Sequence, residues 1–303
     1  MIKKVLLTIL ALAVTCGAVY TQDAGILRRI SSTGPPPGSE IGEWSPALVE
    51  APFTLLKKTP MSCGSAKSMV PELLTWSQHV ESFRGTPVGR LPDRAAFFFV
   101  SGMAIDADGA PNAYHPDDIG LDELANAGKP GHWDGIITAG DGIPLIQQQT
   151  DPSPGYYISC TSLFDKSKKV TDPTRYVDAS KIPYVALPRD LADREGLQLG
   201  DLAFVVNLHN NRSSYAIFAD IGTLGEGSIA LADTLGIWSN ARQGGEADGI
   251  LYLLFPGSGN HRPHGVTEIQ HEGENVLLSS DKIKNLSWLS CTTKDNPAQR
   301  NSF

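Results

Sequence analysis

Cysteine is scarce in this chain, four residues in 303, which excludes a disulfide-stapled scaffold. There is no CxxC and no HExxH, so a structural zinc site has no support. There is no GxSxG, so the nucleophile elbow of the α/β-hydrolases is missing. Lys and Arg number 25 against 33 Asp and Glu, for a net charge of −8. No basic cluster offsets that balance, which argues against nucleic acid as a partner. Beyond the first twenty residues no apolar run is long enough to cross a bilayer, and no internal repeat is present. Long periodic helices are also lacking. Instead, 30 Gly and 21 Pro make up about one residue in six, against roughly one in eight in average proteins. That composition favours short strands and many turns over a helical bundle or coiled coil.

The amino terminus reads as an export signal. Lys3 and Lys4 precede an apolar stretch from Val5 to Val19, too short to span a bilayer with margin. Cleavage after Ala18 satisfies the small-residue rule, whereas Val14-Thr15 before Cys16 makes a poor lipobox. The expectation is a secreted or periplasmic protein, free of the membrane once residues 1–18 are removed. The mature chain keeps Cys63, Cys160 and Cys291, enough for one bridge between any two of them. Residues 19–93 read as an arm or linker around Gly34-Pro35-Pro36-Pro37-Gly38, with one helix within Ser68 to Phe83.

From Arg94 the chain reads as strands. Segments 95–105, 155–163, 181–188 and 249–259 are apolar and β-branched or aromatic. Segment 135–147 looks like a hairpin around Gly140-Asp141-Gly142. Residues 201–222 form the clearest hairpin, turning at His209–Arg212. Asp190 to Glu195 suits a turn or short helix. At 225–237 the period changes, placing Ile229, Leu231, Ala232 and Leu235 on one helix face with Gly236 as its C-cap. Residues 94–260 are therefore expected to be one mainly β domain, a sandwich or small closed barrel with a short inserted helix. Residues 261–303 form a polar tail with no evident role.

Of the seven histidines, only His261 and His264 stand at close spacing, on either side of a proline. Two solvated loop histidines are the plainer reading. Asp106-Ala107-Asp108-Gly109 resembles the opening of a calcium loop, but its twelfth position is Asp117 rather than Glu and flanking helices are missing. No metal and no cofactor are expected. The most unusual constellation is 218–237. A strand delivers Asp220 at its end, and Gly222, Gly225 and Gly227 surround Glu226 just before the helix. Partial desolvation would raise the Asp220 pKa, and the helix N-terminus would hold Glu226 ionised. Two nearby carboxylates with opposed tendencies suit glycoside hydrolysis.

The block YAIFADIGTLGEGSIALADTLGI resembles the signature of the glycoside hydrolase family 75 chitosanases. IDADGAPNAYHPDD (105–118), AGKPGHWDGIIT (127–138), YYISCTSL (156–163) and VDASKIPYVALP (177–188) are similar to other blocks of that family, in the same order. The resemblance spans about 100–240. It implies inverting hydrolysis of β-1,4 linkages in chitosan, with Asp220 and Glu226 as the two essential carboxylates. Their intervening segment is shorter here than in the fungal enzymes. The resemblance also gives Asp106 and Asp108 a substrate-binding role. Trp133, Tyr156 and Tyr157 are candidates to stack on sugar rings, although a β core is the commoner place for each. A second likeness is to double-psi β-barrel glycan enzymes. It rests on the VD-x-x-x-IP strand at 177–183, the later hairpin and a strand ending in Asp-x-Gly, and it implies an Asp at the strand end as acid.

The expected function is thus endo-acting hydrolysis of chitosan or a related amino-sugar polymer. A peptidoglycan-cleaving enzyme on the same barrel would need only one essential Asp. A non-catalytic carbohydrate-binding wall protein would need neither carboxylate.

Overall fold

The computed structural model of the chain describes residues 65–92, 95–280 and 283–289. The export segment, the glycine–proline stretch, Cys63 and Cys291 lie outside the described residues. The elements that position the site run as α1 (Met69–Trp76), β1 (His79–Phe83), β2 (Thr86–Arg90), β3 (Phe97–Asp106), β4 (Gly128–Lys129) and β5 (His132–Trp133). They continue with β6 (Tyr184–Leu187), α2 (Arg189–Glu195), β7 (Leu202–Asn207), β8 (Ser213–Ile221), β9 (Glu226–Ser228), α3 (Ile229–Leu235), β10 (Glu246–Phe255) and α4 (Val266–Ser279).

Six strands close a barrel in the order β3-β10-β7-β8-β6-β9, with β9 returning to β3. Closure removes the free edges that an open sheet would expose. The pairings are mixed. β6 runs parallel to β8 and β9 parallel to β3, while the others are antiparallel. This is the mainly β closed barrel with a short inserted helix that the sequence leads one to expect.

β7 and β8 are buried on both faces, so their sequences read as nearly unbroken apolar runs instead of alternating. Ala203, Val205, Ala216 and Phe218 fill the barrel interior with Phe97, Phe99, Val185 and Tyr252. Leu202, Phe204, Tyr215 and Ile217 face outward into a second core. That outer core is covered by α1 and α4. α4 packs on β7 and β8, and a Cβ on Gly273 would lie 2.5 Å from the Tyr215 ring. The region from residue 261, polar in sequence, thus supplies a helix with Ile269 and Leu277 buried against the barrel.

Three local features go beyond or depart from the sequence reading. The helix expected within 68–83 forms over Met69–Trp76, and the β1–β2 hairpin that follows it is additional. Its turn, Arg84-Gly85, places both residues at positive φ, 49° and 88°, which matches the twist of the flanking strands. Arg-Gly lacks the Asn or Asp that normally advertises such a turn. Segments 135–147 and 155–163 do not form continuous strands. They meet only through isolated bridges such as Ile136–Ser159 and Ile146–Tyr157. Backbone bonds still join them, such as Ile137 N to Ile158 O at 2.9 Å and Cys160 N to Gly135 O at 3.0 Å, and the turn expected at Gly140–Gly142 forms with a Thr138–Pro144 bridge. Hydroxyl side chains add to this pairing. The Ser159 hydroxyl donates to Gly135 O and accepts from Gly109 N, and the Thr161 hydroxyl donates to Leu163 O. Finally, Glu226 does not sit at a helix N-terminus. It opens β9, and Ser228 caps α3 by accepting from Leu231 N.

Candidate active site

Asp220, Ala186 and Glu226 lie in one row across three strands. Ala186 on β6 pairs with Asp220 on β8 to one side and with Glu226 on β9 to the other. Glu226 pairs in turn with Ala104 on β3. Val185, Leu187 and Phe218 point into the barrel, while Tyr184 and Ala219 belong to the outer core. The row therefore faces outward. A one-residue slip at β6–β8, between the Val185 and Ala186 pairings, turns Asp220 to this face. Two strand spacings put the Asp220 and Glu226 backbones about 9–10 Å apart.

Each carboxylate is held by its own donors. Asp220 Oδ1 accepts from Ser162 N at 2.9 Å, Ser162 Oγ at 2.6 Å and Ile221 N at 2.7 Å. Asp220 is buried, and burial pushes its carboxyl up to about 6. The bonds from Ser162 and Ile221 pull the other way, and the Glu226 charge adds to the rise. Glu226 is half-buried, and its Oε2 accepts from Thr223 N at 2.7 Å and Thr223 Oγ1 at 3.1 Å. Gly222 is what leaves room for it. A Cβ there would stand 2.3 Å from Glu226 Oε2 and 3.0 Å from the Ala186 methyl.

Asp106 and Asp108 complete an acidic cluster. Asp106, at the end of β3, is buried and accepts from Asp108 N at 2.8 Å. Burial first, then the charges of Glu226 and Asp220, push its carboxyl well above the usual range. Asp108 is half-buried and accepts from Tyr114 Oη at 2.7 Å. Burial, Asp106 and Asp220 raise it likewise. A Cβ on Gly135 would fall 2.7 Å from Asp108 Oδ1, so the loop after β5 reaches the cluster only because that residue is glycine. The Tyr184 hydroxyl donates to Asp108 O at 3.0 Å.

The aromatic candidates divide. Trp133 and Tyr157 are half-buried neighbours with ring centroids 6.3 Å apart, both packed on the outer core. Tyr156 instead meets His115 edge to face at 4.8 Å. A depression of about 370 Å³ adjoins the row, with Ser162 and Ile221 in its wall. Lys166 and Arg189 also line it beside Asp193, so its wall is less acidic than the row. The acidic row is the better candidate for a sugar carrying ammonium groups.

Sequence reasoning overlooked Ser162 and Thr223, the two donors that hold the acids, and Tyr114 beside Asp108. Ser162 stands 58 residues from Asp220, so only the folded chain joins them. Thr223 carried a local signal, since a hydroxyl three residues before an acid within a glycine-rich turn is placed to hold it.

No curated protein matches the chain. Residues 139–285 match the family described as fungal chitosanase of glycosyl hydrolase group 75. The match contains Ser162, Ala186, Asp220, Thr223 and Glu226, and it runs on through β10 and α4. Over those residues, just under half of its length, the chain is similar to the group 75 chitosanase family of glycoside hydrolases.

Proposed function

We propose that the protein is a secreted, endo-acting chitosanase that cleaves β-1,4 linkages with inversion, using Asp220 as general acid and Glu226 as general base. The observation that carries this reading is the shared row about Ala186. An inverting enzyme needs roughly 6.5–9.5 Å between its carboxyl groups, to admit a water under the anomeric carbon. Backbones two strand spacings apart support the inverting reading, whereas adjacent strands, about 5 Å apart, would suit a covalent, retaining route. Asp220, raised to about 6, carries a proton in mildly acidic solution and gives it to the leaving glycosidic oxygen. Glu226 takes a proton from the attacking water as its oxygen bonds to the anomeric carbon and the carbon–oxygen linkage breaks.

Asp106 and Asp108 serve the substrate site as protonated acids. Asp108, with surface exposed, can donate to a sugar hydroxyl. Asp106 is buried, and burial together with the charges of Glu226 and Asp220 keeps its own proton on. Trp133 and Tyr157 offer ring faces to a sugar, and Tyr156 a third. The acidic chain, −8 overall, favours encounter with a polycation.

The test is to incubate purified protein separately with chitosan, chitin and peptidoglycan and to weigh the products, following the first-formed anomer by NMR. Short chitosan oligomers released as the α-anomer are expected. Cleavage of peptidoglycan alone would replace this reading with a wall-lytic one. Binding without cleavage would make the protein a carbohydrate-binding module.

A further inference from the structure

Away from the acidic row, at the junction of the 260–265 loop with α4, His264 is buried at 3% exposure. It faces Glu268 and Glu272, which follow it at intervals of four and so lie on one helix face. One ligand atom from each of the three lies within 4.8 Å of the others.

The histidine's own bonding shows what belongs there. Its Nε2 lies 2.7 Å from Asn260 Oδ1, an acceptor that fixes the proton on Nε2 and leaves the Nδ1 lone pair free. That Nδ1 is buried and has no hydrogen-bond partner, although Glu272 Oε2 stands 3.0 Å from it. The distance suits a hydrogen bond but the direction does not. A spacing near 3 Å with poor linearity is what two adjacent ligands of one cation show when each is about 2.1 Å from it. A ligating histidine that donates its other nitrogen's proton to an oxygen acceptor is the usual supporting arrangement.

We infer that His264, Glu268 and Glu272 form a binding site for a first-row divalent transition cation such as Zn²⁺, which fastens α4 to the barrel. One imidazole and two carboxylates suit that class better than Mg²⁺ or Ca²⁺, which take oxygen ligands. The carboxylate side chains are about a third exposed while the histidine side chain is fully covered, so the cation enters from solvent onto a fixed nitrogen. Arg262 pairs with Glu268. Each carboxylate oxygen keeps a second lone pair, so Arg262 can remain as an outer partner of that ligand.

The experiment is calorimetric titration of Zn²⁺ into untagged, chelator-treated full-length protein, with a thermal melt alongside. Glu268→Gln and Glu272→Gln serve as test variants because both side chains reach solvent and Gln keeps their size. Asp248→Asn is the control, since His209, Glu246 and Asp248 form a second, more exposed group of possible ligands. The inference expects one Zn²⁺ per chain, a melting temperature raised by about 5–10 °C at a hundredfold excess over Kd, and affinity reduced more than about tenfold in each Gln variant. The Asp248→Asn control should bind as the parent does. Absent binding, preference for Ca²⁺ over Zn²⁺, or affinity lost only in Asp248→Asn would overturn it. Chitosan cleavage does not enter these readouts, so failure here leaves the proposed activity standing.

Discussion

Asp220 and Glu226 never pair with each other; they are joined through Ala186, which bridges to one on each side. The small side chain between them leaves room for Gly222, where a Cβ would stand 3.0 Å from the Ala186 methyl. Replacing either carboxylate by its amide should spare the fold. Asp220→Asn keeps an oxygen to accept from Ser162 and Ile221, and Glu226→Gln keeps one for Thr223. Each variant should lose two or more orders of magnitude in turnover of chitosan, about the contribution of positioned acid–base groups. The check is reducing-end release by folded variants. Near-parental rates from either one would mean that another residue does the chemistry.

Gly222→Ala tests position without touching charge. Its backbone is not in the left-handed region, so alanine is sterically possible except for the methyl, which would meet Glu226 Oε2 at 2.3 Å. The carboxylate must swing away. Turnover should fall about a hundredfold, the usual consequence of ångström-scale misplacement, while circular dichroism stays unchanged.

The alkaline limb of the pH profile should report Asp220. A general acid works only when protonated, so kcat/KM should fall as pH rises through about 6. Ser162→Ala removes a donor that favours the charged form, and the limb should move to higher pH. A limb that stays fixed in this variant would assign the titration to another group.

Stability should follow the same cluster with a definite sign. Asp106, Asp108 and Asp220 all have folded values raised above the unfolded value near 4. Such groups bind more protons folded than unfolded. Their stabilisation is complete below pH 4 and is lost as pH rises through the folded values. For Asp220 alone, a move from about 4 to about 6 is worth on the order of 3 kcal/mol. Urea midpoints should drop between pH 5 and pH 8, and Asp106→Asn should drop less.

Cys160 is disulfide-bonded. If the amino-terminal segment is removed on export, the mature protein retains three cysteines, and thiol titration after denaturation should find one free. Three would mean that Cys160 is unbridged.

Much of the barrel was legible because buried strands announce themselves locally. The β7–β8 hairpin and the α3 cap at Gly236, in left-handed conformation at φ 67°, depend on neighbours within a few residues. The β1–β2 turn was not legible, since Arg84 adopts positive φ without the usual residue type. Segments 135–147 and 155–163 were legible in part. The turn at Gly140–Gly142 and backbone bonds between the two segments form, but the pairing is broken into isolated bridges and packs a small cluster of its own around Ile137 and Ile158.

By itself the sequence determined that Asp220 ends an apolar strand and that Glu226 stands among glycines. These are properties of short segments, where backbone preference and local composition suffice. Only the tertiary structure decided that Ala186, far away in the chain, separates the two acids, and that burial and Ser162 govern Asp220. It also decided that Glu226 begins a strand closing the barrel instead of capping a helix. Cross-strand register and burial set a carboxyl's proton affinity, and both arise from contacts between distant segments that no local pattern encodes.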